Sequence, residues 1–439
     1  ELILQEKKII ISCLLVLFGI SSRFSQYFNM NMFKLGQVLH HIDNNYVDSV
    51  KEDKLVKVAI DGMLKELDPH SDYLTEEEVK AMNEPLQGNF EGIGIQFNIL
   101  YDTIYVVNPI SGGPSEKVGL QAGDRIVKIE GENVAGIGIT NKQVRDRLLG
   151  EKGTKVEVSI KRRGVDKLLH FTIVRDKIPI HSLDASYMVE KDIGYIKLNQ
   201  FSKTTLDEFH EALNGFPKSL EGLVLDLRNN GGGYLKVAYM LADQFLHDDK
   251  MIVYTQGMHS EKQEYVASEK GVFEEGKVVV LIDEGSASAS EIVSGAIQDW
   301  DRGVVMGRRS FGKGLVQHFF ELPDGSALKL TIARYYTPTG RLIQKPYNKG
   351  NTKEYAKELL ERYENGEMIH ADSINMPDSL KYKTLENGRT VYGGGGIVPD
   401  YFIPLDTTNR SDYYMELIRK GIFYRFVLNY IDENRDQLN

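Results

Sequence analysis

Apolar positions between Phe33 and Leu64 fall at helical intervals: Phe33, Leu35, Val38, Leu39 and Ile42, then Leu55, Val56, Ala59, Ile60, Met63 and Leu64. This spacing predicts helices across residues 32–84. Asp68-Pro69-His70-Ser71-Asp72 breaks the pattern, and Thr75-x-x-Glu78 is able to start a further helix as a capping box. At Gly88 the texture changes to short β-like runs divided by glycine. Ile93–Ile99, Thr103–Val107, Arg125–Ile129, Lys155–Lys161 and Leu168–Val174 are predicted strands, with turns at Gly131-Glu132 and Arg163-Gly164. With a helix over Asn141–Leu149, they predict a compact, mostly-β module.

From Ile193 onward strands alternate with helices. Ile193–Leu198 precedes the helix Leu206–Leu213, and Leu223–Leu227 precedes a glycine run and the helix Leu235–Phe245. Lys277–Ile282 leads into Glu291–Trp300, and Val304–Met306 follows. That alternation predicts a layered α/β domain, ending in a hairpin that turns at Pro323-Asp324-Gly325-Ser326. Past Pro346 charge rises and the pattern loosens. An exposed helix is expected over Tyr355–Tyr363, a flexible joint at Gly393–Gly396, and an amphipathic docking segment over Tyr413–Tyr430. No internal repeat is evident.

Composition narrows the classes. The 439 residues are 41% hydrophobic and 26% charged, an ordinary globular balance that suggests two or three domains. A net charge of -10 with dispersed basic residues excludes a nucleic-acid footprint. The single cysteine, Cys13, precludes internal disulfides and Cys-rich metal sites. No His-Glu-x-x-His spacing is present, so neither a metal nor a cofactor is expected. Lys7-Lys8, the apolar run Ile9–Ile20 and the small residues after it read as a secretory signal with Gly19-x-Ser21 as cleavage site. An uncleaved anchor is the alternative. Residues 1–22 are therefore expected to export the protein, leaving it periplasmic or attached to a membrane facing the periplasm.

Three segments could carry chemistry. Gly285-Ser286-Ala287-Ser288-Ala289-Ser290-Glu291 follows the strand Val278–Ile282 directly. A strand, a small-residue turn and a helix expose a residue where backbone amides and the helix dipole favour negative charge. An activated serine needs that setting, although Ser288-x-x-Glu291 is equally a capping box. Gly307-x4-Gly312-Lys313-Gly314 nearly matches a phosphate-binding loop, but Gly314 stands where the Mg²⁺-binding Ser or Thr belongs. A strand-like run follows it, where that loop requires a helix. A glycine-flanked lysine in a water-poor pocket can instead be neutral and accept a hydroxyl proton. Asp226-Leu227-Arg228-Asn229-Asn230-Gly231-Gly232-Gly233 ends a third strand, and its glycines permit close backbone approach to a ligand.

Together, and in this order, these segments resemble the carboxyl-terminal processing (tail-specific) protease family, serine peptidases with a Ser–Lys mechanism. The resemblance places the nucleophile on Ser288, within Ser286–Glu291, and the general base on Lys313, within Phe311–Gly314. It implies lysine support from Gln317 and an oxyanion hole from the amides of Gly232 and Ala289. It extends to a PDZ domain over residues 87–175, where Gly92-Ile93-Gly94-Ile95 matches the loop that holds a peptide's terminal carboxylate. Leu149 stands before Gly150, where relatives often carry a basic residue, which weakens the expected coupling of that domain to the active site.

The expected architecture is an N-terminal helical segment at 30–86, the PDZ domain at 87–175, an α/β protease core of crotonase-like layering at 176–345, and a C-terminal extension at 346–439. Its expected partners are proteins or peptides with free C-termini. Membrane association through the N-terminal segment and homo-oligomer formation are left open. The first competing function is a non-catalytic peptide-binding scaffold of the same fold. Acyl-CoA chemistry is a second, since the crotonase fold also pairs amides around an oxyanion. His318 and Trp300 read as structural, and Tyr335-Tyr336 as packing or groove-lining.

Overall fold

The computed structural model describes residues 30–247, 249–268, 270–408 and 411–438. The expected export signal lies outside them. Among the described residues no helix is long and apolar enough to cross a membrane.

Two helices, Met30–Asn45 and Glu52–Lys65, open the described chain. The break at Asp68–Asp72 is followed by a short strand, Asp72–Leu74, that pairs antiparallel with Lys329–Ala327 far along the sequence. The predicted capping box forms: Glu78 N–H donates to Thr75 Oγ1 at 3.3 Å, and Thr75 N–H to Glu78 Oε2 at 2.9 Å. The helix it starts, Glu76–Gln87, ends at Gly88 with φ 76°.

The β-rich module follows its period-2 pattern closely. Its sheet runs in the order Ile95–Leu100, Thr103–Pro109, Arg125–Ile129, Lys155–Lys161, Leu169–Val174, with Glu132–Asn133 paired to Arg125–Ile129. Ile104, Val106, Ile126, Val156, Ile160 and Ile173 are wholly buried and form its core with Val144 and Leu148 of the helix Asn141–Leu148. Asn89–Gly92 pairs with Asp176–Pro179 and closes the module's two ends together. Ile95–Leu100 is an edge strand, paired on one side only among the described residues.

The α/β region is built on a second six-stranded sheet. Leu183–Glu190 is antiparallel to Ile193–Leu198, and then Gly222–Asp226, Lys277–Ile282, Val304–Gly307 and Tyr401–Phe402 all run parallel. Parallel strands are covered on both faces, which explains the unbroken apolar run Val278–Ile282. The helices Thr205–Asn214, Leu235–Asp243 and Ala289–Asp299 pack on this sheet. Every residue of Ala289–Asp299 is buried, so the serine-rich turn is anchored by a helix with no solvent-facing side. A smaller sheet joins Asp72–Leu74, Ala327–Tyr336, Met251–Gln256 and Gln263–Val266, with Leu315–Glu321 paired to Ala327–Tyr336.

Residues 346–405 are tied into this core. Tyr401–Phe402 completes the parallel sheet, and the helix Thr352–Glu364 buries Arg362 against the core. The Gly393–Gly396 run corrects the expectation of a flexible joint. Gly394 and Gly396 donate to Leu342 O and Ile343 O at 2.6 and 2.7 Å, and a Cβ on Gly312 would stand 3.0 Å from Gly396 N. Glycine is required there because two backbones touch. The C-terminal amphipathic segment forms the helices Asp412–Arg419 and Ile422–Leu438, which leave Tyr413, Ile418 and Phe426 exposed.

Candidate active site

Ser288 sits at the junction of the strand Lys277–Ile282 and the helix Ala289–Asp299, with φ 56° and ψ -110°. A non-glycine residue held in that region carries strain of order 1–3 kcal/mol and persists only where its surroundings dictate it. Those surroundings are explicit. Ser286 Oγ donates to Leu227 O at 2.8 Å, and Ser290 Oγ to Asn230 O at 2.8 Å. Ala287 N–H donates to the same Asn230 carbonyl at 3.0 Å. Ser286 and Ser290 are fully buried by this work, whereas Ser288 is only half-buried. Of the three serines, Ser288 alone is partly exposed.

The Phe311-Gly312-Lys313-Gly314 turn lies against that junction. Phe311 N–H donates to Ser286 O at 2.9 Å, and Lys345 N–H to Gly312 O at 2.9 Å. Gly312 has φ 88°, and a Cβ on Gly314 would stand 2.8 Å from Gln344 N, so both glycines are demanded by close packing. Lys313 is half-buried, and desolvation first, then the charge of Lys329, lowers its pKa to about 8 against the opposing pull of Glu291 and Asp68. No hydrogen bond joins the Lys313 ammonium to the Ser288 hydroxyl in this structure.

Glu291 couples the two turns. Its buried carboxylate accepts Ser288 N–H at 2.8 Å and Lys313 N–H at 2.9 Å on Oε2, and Gly312 N–H at 2.7 Å and Ser310 Oγ–H at 2.5 Å on Oε1. Burial pushes its pKa up to about 7, although all four donors favour the ionised form. Sequence reasoning saw Glu291 only as half of a capping box. The Tyr335 hydroxyl, also buried, donates to Lys313 O and lies 3.1 Å from Ser288 O, so it spans the same two residues from the other side. Tyr335 is thus a packing residue of the site.

The remaining expected residues are placed as follows. Gly232 lies against the serine, where a Cβ would stand 2.8 Å from Ser288 Cβ and 3.0 Å from Ala289 N. Its N–H, however, donates to Asn230 Oδ1 at 2.9 Å, so in this state it points into its own turn. Gln317 Nε2 donates to Thr331 Oγ1 at 3.3 Å and is not bonded to Lys313. In the β-rich module Ile93 is buried, Gly94 has φ 71°, and Ser115 Oγ and Ser115 N–H both donate to Ile93 O, at 2.6 and 3.1 Å. Gly92–Ile95 thereby forms a fixed loop at the start of the open edge strand. His318 packs on Phe320 with ring centroids 4.8 Å apart, and Trp300 Nε1 donates to Met251 O at 2.7 Å, so both are structural.

Comparison with known proteins identifies the family and its domains. Residues 192–352 match the model of peptidase family S41, residues 92–173 a PDZ domain, and residues 20–78 the N-terminal domain of the activating protease CtpB. A carboxy-terminal-processing protease of Bartonella bacilliformis is 39% identical over 316 residues, 71% of this chain and 72% of the relative. The chain belongs to the carboxy-terminal processing protease family. Another member, CtpA of Bacillus subtilis, is 36% identical over 330 residues, 74% of this chain and 70% of that protein. Among solved structures, a photosystem II D1 C-terminal processing protease aligns with 30% identity over 70% of this chain and 89% of its own, with a TM-score of 0.40. This carboxy-terminal processing protease therefore combines an S41 peptidase core, a PDZ domain and N-terminal helices. It is a serine protease, which decides against the non-catalytic scaffold and the acyl-CoA enzyme.

Proposed function

We propose that Ser288 is the nucleophile and Lys313 the general base of an endopeptidase acting near protein C-termini. The observation that carries this reading is that the one partly exposed serine of its turn and a desolvated lysine share the Glu291 carboxylate through their backbones. Neutral Lys313 takes the Ser288 hydroxyl proton as Oγ attacks the scissile carbonyl, and returns it to the leaving amine. Water then enters by the same route and hydrolyses the acyl-enzyme. The tetrahedral oxyanion is received by the Ala289 N–H, at the N-terminus of a wholly buried helix, and by Gly232 once its N–H exchanges Asn230 for the oxyanion. Glu291 already holds the backbones of both residues. Gln317 supports the lysine from the adjoining strand.

The PDZ domain supplies the tail specificity. The Gly92–Ile95 loop holds the carboxylate and the edge strand Ile95–Leu100 pairs with the extended tail. The parallel sheet with its flanking helices supports a crotonase-like layering of the core. Lys7-Lys8 and the Ile9–Ile20 run support export to the periplasm, with membrane attachment where that segment is retained. The exposed apolar face of the two C-terminal helices supports assembly into a homo-oligomer.

The decisive test is Ser288→Ala, Lys313→Ala and Lys313→Arg on one peptide substrate, with an active-site serine probe. All three variants should be inactive and the native enzyme labelled on Ser288. Arginine stays protonated and cannot take the serine proton. Native kcat/KM should rise with pH through about 8, because only the neutral lysine is a base. Substantial turnover by Lys313→Arg would remove Lys313 from this role.

A further inference from the structure

Outside the S41 match, the loop between the N-terminal helices and the first strand reaches the catalytic lysine's surroundings. Asp68 is 6% exposed, and its carboxylate has four donors. His70 N–H, Ser71 N–H and Thr331 Oγ–H donate to Oδ1 at 2.8, 2.9 and 3.0 Å, and Ser71 Oγ–H donates to Oδ2 at 2.6 Å. Thr331 N–H in turn donates to Ser71 Oγ at 3.1 Å. The loop is further pinned by the register Asp72 to Lys329, two residues from Thr331 on the same strand. Thr331 Oγ1 is also the acceptor of Gln317 Nε2 at 3.3 Å. A continuous chain thus runs from Asp68 through Thr331 to Gln317, across some 260 residues of sequence.

All four donors on Asp68 are neutral, so its charge is solvated but not cancelled. Burying such a carboxylate is costly unless it serves a cation, and a buried charge is felt at distance. The charged groups around Lys313 are Asp68 from the loop, Glu291 from the helix, and Lys329 from the strand beside it. His70, on the same loop, is held neutral: burial first, then Lys313, lowers its pKa to about 4, and its Nε2 pairs with Tyr355 OH at 2.9 Å. Lys345 faces His70 and is engaged by Glu358 at 2.8 Å. Of the loop's charged groups, the Asp68 carboxylate is the one that acts on Lys313.

We infer that Asp68 is a positioning residue of the active site: it fixes Gln317 through Thr331 and keeps a negative charge beside Lys313. This rests on the reading of Lys313 as the base. The N-terminal segment, through this residue, becomes part of the catalytic machinery of the core.

Full-length Asp68→Asn and Thr331→Val, each confirmed folded by its melting transition, test the inference against the native enzyme in kcat/KM–pH profiles. Removing the Asp68 charge leaves the lysine less favoured as a cation, so the rising limb should move to lower pH by a few tenths to one unit. Asparagine keeps an acceptor oxygen for Thr331, so the plateau should fall by less than about tenfold. Thr331→Val changes no charge but removes the acceptor of Gln317, so it should lower the plateau about tenfold and leave the limb in place. Mere loosening that admits water would move the limb the other way, toward an ordinary lysine, and would overturn the proposal. So would an unmoved limb in Asp68→Asn, or an unchanged plateau in Thr331→Val. If Asp68→Asn fails to fold, the plateau of Thr331→Val decides. Turnover by Lys313→Arg is a separate outcome that strikes at the base itself and not at Asp68.

Discussion

Glu291 Oε2 lies 2.9 Å from the backbone nitrogen of Lys313, and the same oxygen holds the backbone nitrogen of Ser288 at 2.8 Å. One atom therefore sets the separation of two turns that are 22 or more residues apart in sequence. The carboxylate touches neither the Ser288 hydroxyl nor the Lys313 ammonium through these bonds; it fixes the backbones from which both side chains move.

Glu291→Gln tests this coupling. A glutamine keeps the volume, but its NH₂ must face either the Ser288 and Lys313 amides or the Gly312 amide and the Ser310 hydroxyl. In either orientation at least one buried N–H loses its acceptor, at a cost of about 1–3 kcal/mol. A displacement near 1 Å at a reacting centre can cost about 100-fold. The expected outcome is a lower melting temperature together with a kcat/KM reduced by about two orders of magnitude. Native activity in Glu291→Gln would show that the turns are held by other contacts.

How much of this was legible in the sequence depended on how local each feature is. The turns that carry Ser288 and Lys313 are legible as a consecutive strand, small-residue turn and helix and as a glycine-flanked lysine, while the choice of these two residues comes from the family resemblance. The capping box at Thr75 and the strand Lys155–Lys161 were readable because each is local. Asp68 was read only as a helix break, since nothing in Asp-Pro-His-Ser indicates a partner at Thr331. Gly393–Gly396 was misread because a glycine run looks the same whether it is free or pressed against another backbone. Tyr401–Phe402 is two residues long, too short to carry a periodicity, yet it closes the central sheet. The direction of the Gly232 N–H depends on the Asn230 side chain, which no motif encodes.

Peptide capture by the PDZ domain is checked with the full chain carrying Ser288→Ala, so that binding is observed without cleavage. The proposed role of the Gly92–Ile95 amides is to hold a carboxylate, whose charge-assisted bonds are roughly twice as strong as neutral ones. A peptide with a free C-terminus should bind about tenfold or more tightly than its C-terminal amide, measured by calorimetry or fluorescence anisotropy. Equal affinities would mean that the tail is held along the edge strand Ile95–Leu100 without its terminus being read.

The lysine proposed as general base should also weaken the fold. Its pKa is lowered to about 8, chiefly by desolvation, from an unfolded value near that of an ordinary lysine at ~10.4. Below about pH 8 Lys313 is charged in both states, and the folded state bears the full cost of holding that charge in a water-poor site. Between about 8 and ~10.4 the folded protein binds fewer protons than the unfolded chain, so native stability rises with pH across that window. Lys313→Met places an uncharged side chain of similar reach in the same space. It should be inactive yet more stable than the native protein at pH 6, by roughly 1–3 kcal/mol. That advantage should shrink steadily as pH rises from 8 toward ~10.4. Denaturant unfolding of both proteins at several pH values measures it. A stability difference that is flat in pH would show that Lys313 is solvated as an ordinary surface lysine, and hence protonated where the reaction needs it neutral.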